Sequence, residues 1–506
     1  MFSRLKKNSF FIGAFILTVS GMATRLIGFF FRIFLSKSLG TVSLGLYQLV
    51  LPITAFGFAV SGYGIQTAVS RYVAAHSISK TKASTLQRTI FFQGCILSLL
   101  FSLPLTFLIS SNASFLAIHF FKEASLVTLI QIISLQIPIS SLHCCINGYF
   151  IGRKNTTVPG LSQIIEQLFR VILTFIFWKY CIAHKVQFTP NLVILGALLG
   201  ELFSLLLCIL FFLLEKKEKS STNRKNFSFY TQLLKLSGPI TLNRIFLTSL
   251  TGLESILIPY SLKRSGLSSE TALSLYGIFS GMAFTFILFP SSVIQSISTV
   301  LMPEVAELSS YNKNSNLEKT ISSTLFFSIS MGIFFNGIFA TYGGDLSTCL
   351  FHEPLCSNYV KFLSFLCPFM YLNINISSIL HGLECSLQPF FINLSGTLLK
   401  ILSLLFFVPF YGMHGYFLGF LFSNIFESYF YLLILRKKIS FTISFKEWIL
   451  TPIFDTLSSI AISYFLKRGV LLFSPTFPST LLYFILCVSE SLLFFLLSFY
   501  RNKNKL

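Results

Sequence analysis

A chain of 506 residues that is 54% hydrophobic and only 11% charged, with a mean hydropathy of +0.76, is no soluble globular domain, since such domains carry roughly 25% charged residues. The formal net charge of +21 invites a nucleic-acid reading, but the cations gather in alternate loops between apolar stretches, as in a polytopic membrane protein. Apolar runs long enough to cross a bilayer, ~20 residues, are expected at 10–35, 45–69, 89–111, 126–150, 157–182, 190–214, 232–261, 272–303, 319–343, 358–383, 389–410, 413–435, 447–466 and 480–500. Fourteen transmembrane helices and an all-α fold follow. Starting inside, the alternate loops and tails hold 23 Lys and Arg residues and the opposite side 8, so both termini are expected in the cytoplasm of a bacterial inner (plasma) membrane.

The first stretch starts basic, with Arg4, Lys6 and Lys7, but its apolar run is too long for a signal peptide and no small-residue cleavage site follows. It is expected to remain as the first span. At 100° per residue Thr18, Gly21, Arg25, Gly28, Arg32 and Ser36 share one arc of a helix otherwise built of Phe, Ile, Leu and Val. An arginine near the bilayer centre costs about 2.5–3.5 kcal/mol, so Arg25 is expected to face a water-filled cavity or a partner, the natural partner being an anion. Arg32 lies nearer the end of the stretch, where a long side chain is able to snorkel to the interface.

The second stretch contains Pro52, Gly57, Gly62 and Gly64, the third Pro104 and the fourth Pro138, breaks that are tolerated at membrane depth where backbone lines a cavity or is covered by neighbours. Arg71 closes the second stretch on the side expected to be cytoplasmic. In the fifth, Gln163, Glu166, Gln167, Arg170 and Thr174 share a face. Glu166 and Arg170, four apart with the acid first, suit either an internal pair or a cavity cation. The polar run Glu215–Asn226 ends the first six spans and reads as a linker. In the seventh, Thr241, Arg244, Thr248, Thr251 and Ser255 share a face with Glu254 to one side, and Arg244 lies about 18 Å inside. Deep arginines in separate helices would make a site for a diphosphate if they converge on one cavity, whereas pairing with Glu166, Glu201 or Glu254 would leave little positive potential.

A weak internal repeat, Gly45-Leu-Tyr47 against Ser274-Leu-Tyr276 and Val73-Ala-Ala75 against Val305-Ala-Glu307, agrees with two parallel six-helix lobes. The expected organisation is an N-lobe at 1–214, a cytoplasmic linker at 215–231, a C-lobe at 232–436, and a C-terminal helix pair with its tail at 437–506. Asn393 and Thr397 in the eleventh stretch are candidates for a cation or for helix packing. His143 and His381 lie in or near spans without a sequence-local acid or nucleophile, and no P-loop, H-E-x-x-H or paired acidic motif is present. No catalytic residue, resident metal or cofactor is therefore expected. The ten cysteines show no metal spacing and mostly lie within spans as small apolar fillers, although Cys349 and Cys356 share an expected external loop and are able to pair.

The stretches Leu17-Thr-Val-Ser-Gly-Met-Ala-Thr-Arg-Leu-Ile-Gly28, Gly45-Leu-Tyr-Gln-Leu-Val-Leu-Pro52 and Ser70-Arg-Tyr-Val-Ala-Ala75 resemble the start of the stage V sporulation protein B group. These are lipid-linked oligosaccharide flippases of the multidrug/oligosaccharidyl-lipid/polysaccharide exporter superfamily, close to the lipid II flippases. Gly252-Leu-Glu-Ser-Ile-Leu-Ile-Pro259, Met302-Pro-Glu304, Gly396-Thr-Leu-Leu-Lys400 and Pro409-Phe-Tyr-Gly412 extend the resemblance over nearly the whole chain. It implies two six-helix lobes around a central cavity, a final helix pair shaping a lipid-tail groove, and alternating access. It also implies a first-helix arginine at the diphosphate, for which Arg25 is the matching position. The substrate is then an undecaprenyl-diphosphate-linked saccharide, a cell-wall or polysaccharide precursor, bound by Arg25, Arg244, Arg32, Arg170 and Arg71. Coupling to a monovalent cation, with Glu254, Asn393 and Thr397 as candidates, or to the membrane potential is expected, and the partners are the substrate and membrane lipids, with the chain acting as a monomer. The alternative is a multidrug/cation antiporter of the same superfamily, which would want an acidic cavity.

Overall fold

Apolar side chains hide their backbone amides in lipid by closing hydrogen bonds within the segment, so long helices are the only open-ended solution for this sequence. The computed structural model describes residues 2–76, 83–215, 229–310, 314–385, 387–439, 446–473, 482, 485–490 and 492–494, and among them there is helix and no strand. Thirteen helices among the described residues are long and apolar enough to cross a membrane. They are, as first to thirteenth spans, Phe15–Leu39, Thr41–Ala75, Thr85–Ser111, Ala124–Gly152, Thr157–Ala183, Pro190–Leu214, Tyr230–Arg264, Ser269–Leu288, Ser315–Phe351, Pro354–Gly382, Leu387–Phe406, Met413–Lys438 and Lys446–Phe465. The expected fourteenth stretch falls largely outside the described residues, and its described part includes the apolar helix Ile485–Phe494. Most of the expected linker 215–231 lies outside them as well.

The glycines and prolines of the sequence do two different things. Pro52, Pro104, Pro239, Pro259 and Pro303 sit inside helices that continue past them. Pro138 and Pro290, in contrast, stand just after or at a break in the helix, at Leu135 and at Phe289–Pro290, where a residue without an N–H leaves no hydrogen bond unmade. The eighth expected stretch is therefore split: Ser269–Leu288 is followed by a separate helix, Ser291–Ser310. In the second span the glycine-rich region takes a π-helical turn at Ala59–Tyr63, a local widening characteristic of helices under constraint.

By packing, the chain divides into two compact units, Met1–Phe31 with Leu46–Tyr260, and Arg32–Gly45 with Ser261–Leu506. In the first, the rings of Phe91, Tyr149 and Phe212 pack at 4.7–5.3 Å. Above them Tyr149 donates to Glu215 at 2.8 Å, Arg153 donates to the Tyr149 hydroxyl at 3.0 Å and pairs with Glu215, and Arg88 donates to the Glu215 carbonyl at 3.3 Å. The end of the sixth span is thus clamped at the point where the undescribed linker begins. In the second unit Phe279, Tyr359, Tyr416 and Phe417 form an aromatic core, and Phe334 of the ninth span stacks on Phe494 at 4.4 Å. Cys349 and Cys356 are not bridged: they lie on separate helices, Gly344–Phe351 and Pro354–Leu363, with Cys356 buried as a filler. The shared loop expected for them is helical instead.

Candidate functional site

Arg25 is exposed at mid-span, about 15 Å along the helix from Phe15. The stripe it shares divides its labour. Ser20 lies against Gly160, and Gly28 lies against the Gln167 amide, so part of the small-residue face packs the first helix on the fifth. Gly21 has open space beside it. Arg244 is exposed as well, with its guanidinium over the Tyr63 ring at 5.0 Å from the centroid, a cation–π contact worth about 0.5–1 kcal/mol at exposed sites. Nearby, Gly64 allows the second span to lie against Thr241 and the Ser237 carbonyl of the seventh. Arg71 is exposed at the end of the second span. These three and Arg170 belong to the first unit and Arg32 to the second.

Arg32 and Arg170 are held inside the protein. Arg32 donates to the Thr285 hydroxyl at 2.6 Å, a tertiary partner besides the interfacial outlet open to it. Arg170 donates to Glu166 one turn earlier at 2.5 Å, so the internal pair expected of these two residues forms.

The densest ionisable cluster is one the sequence did not assemble. Glu201, in the Leu-rich sixth span, and His143, in the fourth, are both buried, at 6% and 4% exposure. His143 Nδ1 lies 2.7 Å from Glu201 Oε1, and its Nε2 lies 3.2 Å from Ser204 Oγ, one turn along the sixth span. Ser204 in turn donates to the Ser162 carbonyl of the fifth span at 2.8 Å. Glu166 completes the group, with donor atoms of His143, Glu166 and Glu201 all within 4.8 Å of one another. Small residues make the approach possible: Gly200 lies against the Arg170 amide and Glu166 carbonyl, and Gly196 against Thr174. A methyl at either would meet atoms of the fifth span, and the two helices could not cross this closely. The signal available in the sequence was a lone ionisable residue in each of two apolar spans. With the two residues 58 positions apart, spacing could not reveal that they meet.

In the second unit, a group of polar side chains on the tenth to twelfth spans is met mainly by amides and hydroxyls, while Asp455 and Glu490 are buried elsewhere in the unit. Asn373 of the tenth span accepts from Ser428 at 2.7 Å and donates to the Asn424 carbonyl at 3.3 Å and to Glu427 at 3.4 Å. Asn375 donates to Ser328 at 2.6 Å. Asn393 accepts from Tyr431 at 3.0 Å, and Thr397 donates to the Asn393 carbonyl at 2.8 Å, so both are engaged in packing hydrogen bonds. Glu427, whose side chain lies against Gly396, supplies the carboxylate near the eleventh span that the span itself lacks. Glu254 is buried at 7% but belongs to the first unit, with Asn393 and Thr397 in the second. His381 is exposed and bonds the Ser377 carbonyl at 2.6 Å.

Residues 11–309, more than half of the chain, match the model of the family described as polysaccharide biosynthesis protein. The chain belongs to that family. Among curated proteins it is 24% identical over 404 residues to stage V sporulation protein B of Bacillus subtilis (strain 168), covering 78% of this chain and 77% of the relative. It is 21% identical over 363 residues to sporulation protein YkvU of the same organism, covering 70% and 78%. Among solved structures, the lipid II flippase MurJ in its inward closed conformation superposes with a TM-score of 0.72 at 17% identity over 96% of this chain and 99% of that one. An inward-facing multidrug resistance transporter of the MATE family gives a TM-score of 0.65 at 13% identity over 84% and 98%. The polysaccharide biosynthesis family member is thus a multi-pass membrane protein with the fold of MOP superfamily transporters.

Proposed function

We propose that this family member is a flippase that moves an undecaprenyl-diphosphate-linked saccharide, lipid II or a related precursor, across the bacterial cytoplasmic membrane by alternating access of two lobes, with both termini in the cytoplasm. One observation carries the reading: Arg25 and Arg244 are exposed at mid-depth of membrane helices in the first unit. Facing lipid, each would cost about 2.5–3.5 kcal/mol; facing a hydrated path for an anionic head group, each is stabilised. Arg71 would add potential near the entry side, while Arg32 and Arg170 act through Thr285 and Glu166 as helix-positioning residues. The printed title of one structural neighbour, a lipid II flippase, is in keeping with that substrate class. The chain would work as a transporter without covalent chemistry, with Glu254, Asn393 and Thr397 or the membrane potential available for coupling.

The test is flipping of a fluorescent undecaprenyl-diphosphate saccharide in proteoliposomes. Arg25→Ala and Arg244→Ala should each reduce the rate at least about tenfold, the equivalent of 1.4 kcal/mol, with insertion and folding intact. Full activity in both variants would remove the electrostatic basis of the reading. Rescue of a strain depleted of its lipid II flippase would narrow the cargo.

A further inference from the structure

The geometry points to a proton-binding site in the first unit, formed by His143, Glu201, Glu166 and Arg170 at the middle of the fourth, fifth and sixth spans. Two independent observations converge on one bound proton. The first is the hydrogen-bond sequence. Ser204 has a single hydroxyl proton, and it is directed to the Ser162 carbonyl at 2.8 Å. Its Oγ therefore faces His143 Nε2 at 3.2 Å as an acceptor, which places a proton on Nε2. The other ring nitrogen then meets the Glu201 carboxylate at 2.7 Å. Without a further proton this contact would set two lone pairs against each other. A proton on either atom, as imidazolium with carboxylate or imidazole with carboxylic acid, converts it to a hydrogen bond.

The second observation is charge. Glu166 and Glu201 bring two negative charges, with their oxygens and a His143 ring nitrogen within 4.8 Å of one another, and Arg170, paired with Glu166, brings one positive charge, so neutral His143 leaves one negative charge in excess. A low-dielectric interior strongly disfavours an uncompensated charge, and one proton cancels it. An alkali ion would cancel it too, but imidazole is a poor ligand for such an ion, and a divalent ion would overshoot to an excess positive charge. The other titratable groups acting on the cluster are the Cys208 and Cys144 thiols and the Tyr47 phenol, each neutral in its ordinary form. Asn147 and Ser162 add only dipoles.

The site binds one proton per chain, and its release leaves a negative charge in the middle of three packed helices. The fifth and sixth spans cross on Gly196 and Gly200, so that charge acts on the joint between them. If the chain is the flippase proposed above, proton uptake and release at this cluster drive its cycle. Proton binding itself does not rest on that reading.

The experiment counts protons bound by the full-length protein in nanodiscs during a titration between about pH 5 and pH 10. Wild type should take up about one proton per chain more than Glu201→Gln. That near-isosteric change keeps a partner for His143, an amide N–H able to donate to Nδ1, and removes the charge that demands the proton. His143→Gln keeps the excess negative charge but removes the imidazole, so the proton passes to the carboxylates and the midpoint of uptake should shift; retention on size exclusion with unchanged helical circular dichroism identifies the variants that fold. Superimposable curves for wild type and a folded variant overturn the proposal, as does stoichiometric metal in the purified protein that Glu201→Gln abolishes. In proteoliposomes an imposed pH gradient should change wild-type flipping severalfold and leave Glu201→Gln unresponsive. Absence of any flipping by wild type defeats the transport reading while the proton count stands, and gradient-independent flipping with a normal count defeats only the coupling.

Discussion

The interiors of the two units meet the same requirement in different ways. In the first, the fourth to sixth spans bury His143 and Glu201 beside the half-buried ion pair of Glu166 and Arg170. In the second, the tenth to twelfth spans join Asn373, Asn424, Ser428, Asn393 and Tyr431 in a net of amides and hydroxyls with Glu427 at its edge. A lost partner in a neutral net leaves an unsatisfied dipole; a lost partner in an ion cluster leaves an unsatisfied charge, which costs several times more. The fourth to sixth spans are thus the more sensitive to single substitutions and the tenth to twelfth the more tolerant.

The sharpest way to break that comparison is Arg170→Ala, which leaves the Glu166 and Glu201 carboxylates without their cation and is expected to cost about 3–5 kcal/mol. Thermal or denaturant unfolding in detergent reads it, and a loss below that of Asn373→Ala would refute the contrast. Gly200→Ala comes next, at about 1–3 kcal/mol, because its methyl meets the backbone of Glu166 and Arg170. Gly396→Ala in the second unit meets the Glu427 side chain, which is able to swing aside, and should cost less by the same measurement. Asn373→Ala removes one acceptor and its donors and is expected to cost about 1–2 kcal/mol. Smallest is Thr285→Val, which deletes the hydroxyl that holds Arg32, at about 0.6 kcal/mol, the average for such bonds within membranes. Its value lies in the double variant with Arg32→Gln: non-additivity would establish that the bond persists in lipid.

Arg25 and Glu201 show how much of the site was legible from the chain alone. Arg25 stood out because its whole argument is local: a helical arc, a depth and a desolvation cost can all be read from one segment. The Glu166–Arg170 pair was legible for the same reason, being four residues apart on one helix. The bond between His143 and Glu201 joins helices whose adjacency no local pattern encodes. Arg32 shows the same limit from the other side, since a residue at the end of a span has two outlets, the interface and a tertiary acceptor, and only packing decides which is used.

Composition and hydropathy by themselves determined that this chain is helical and polytopic, because in lipid every backbone amide must be satisfied within its own segment. They also determined which residues are costly at depth. Tertiary structure alone decided which helices adjoin, where the breaks at Leu135 and Pro290 fall, and that Gly196 and Gly200 bring the sixth span close enough to the fifth for Glu201, His143 and Glu166 to meet. The physical reason is that apolar helices packed in lipid feel no strong hydrophobic preference for one neighbour over another. The choice falls to small-residue crossings and buried polar contacts, and these exist only once the helices are assembled.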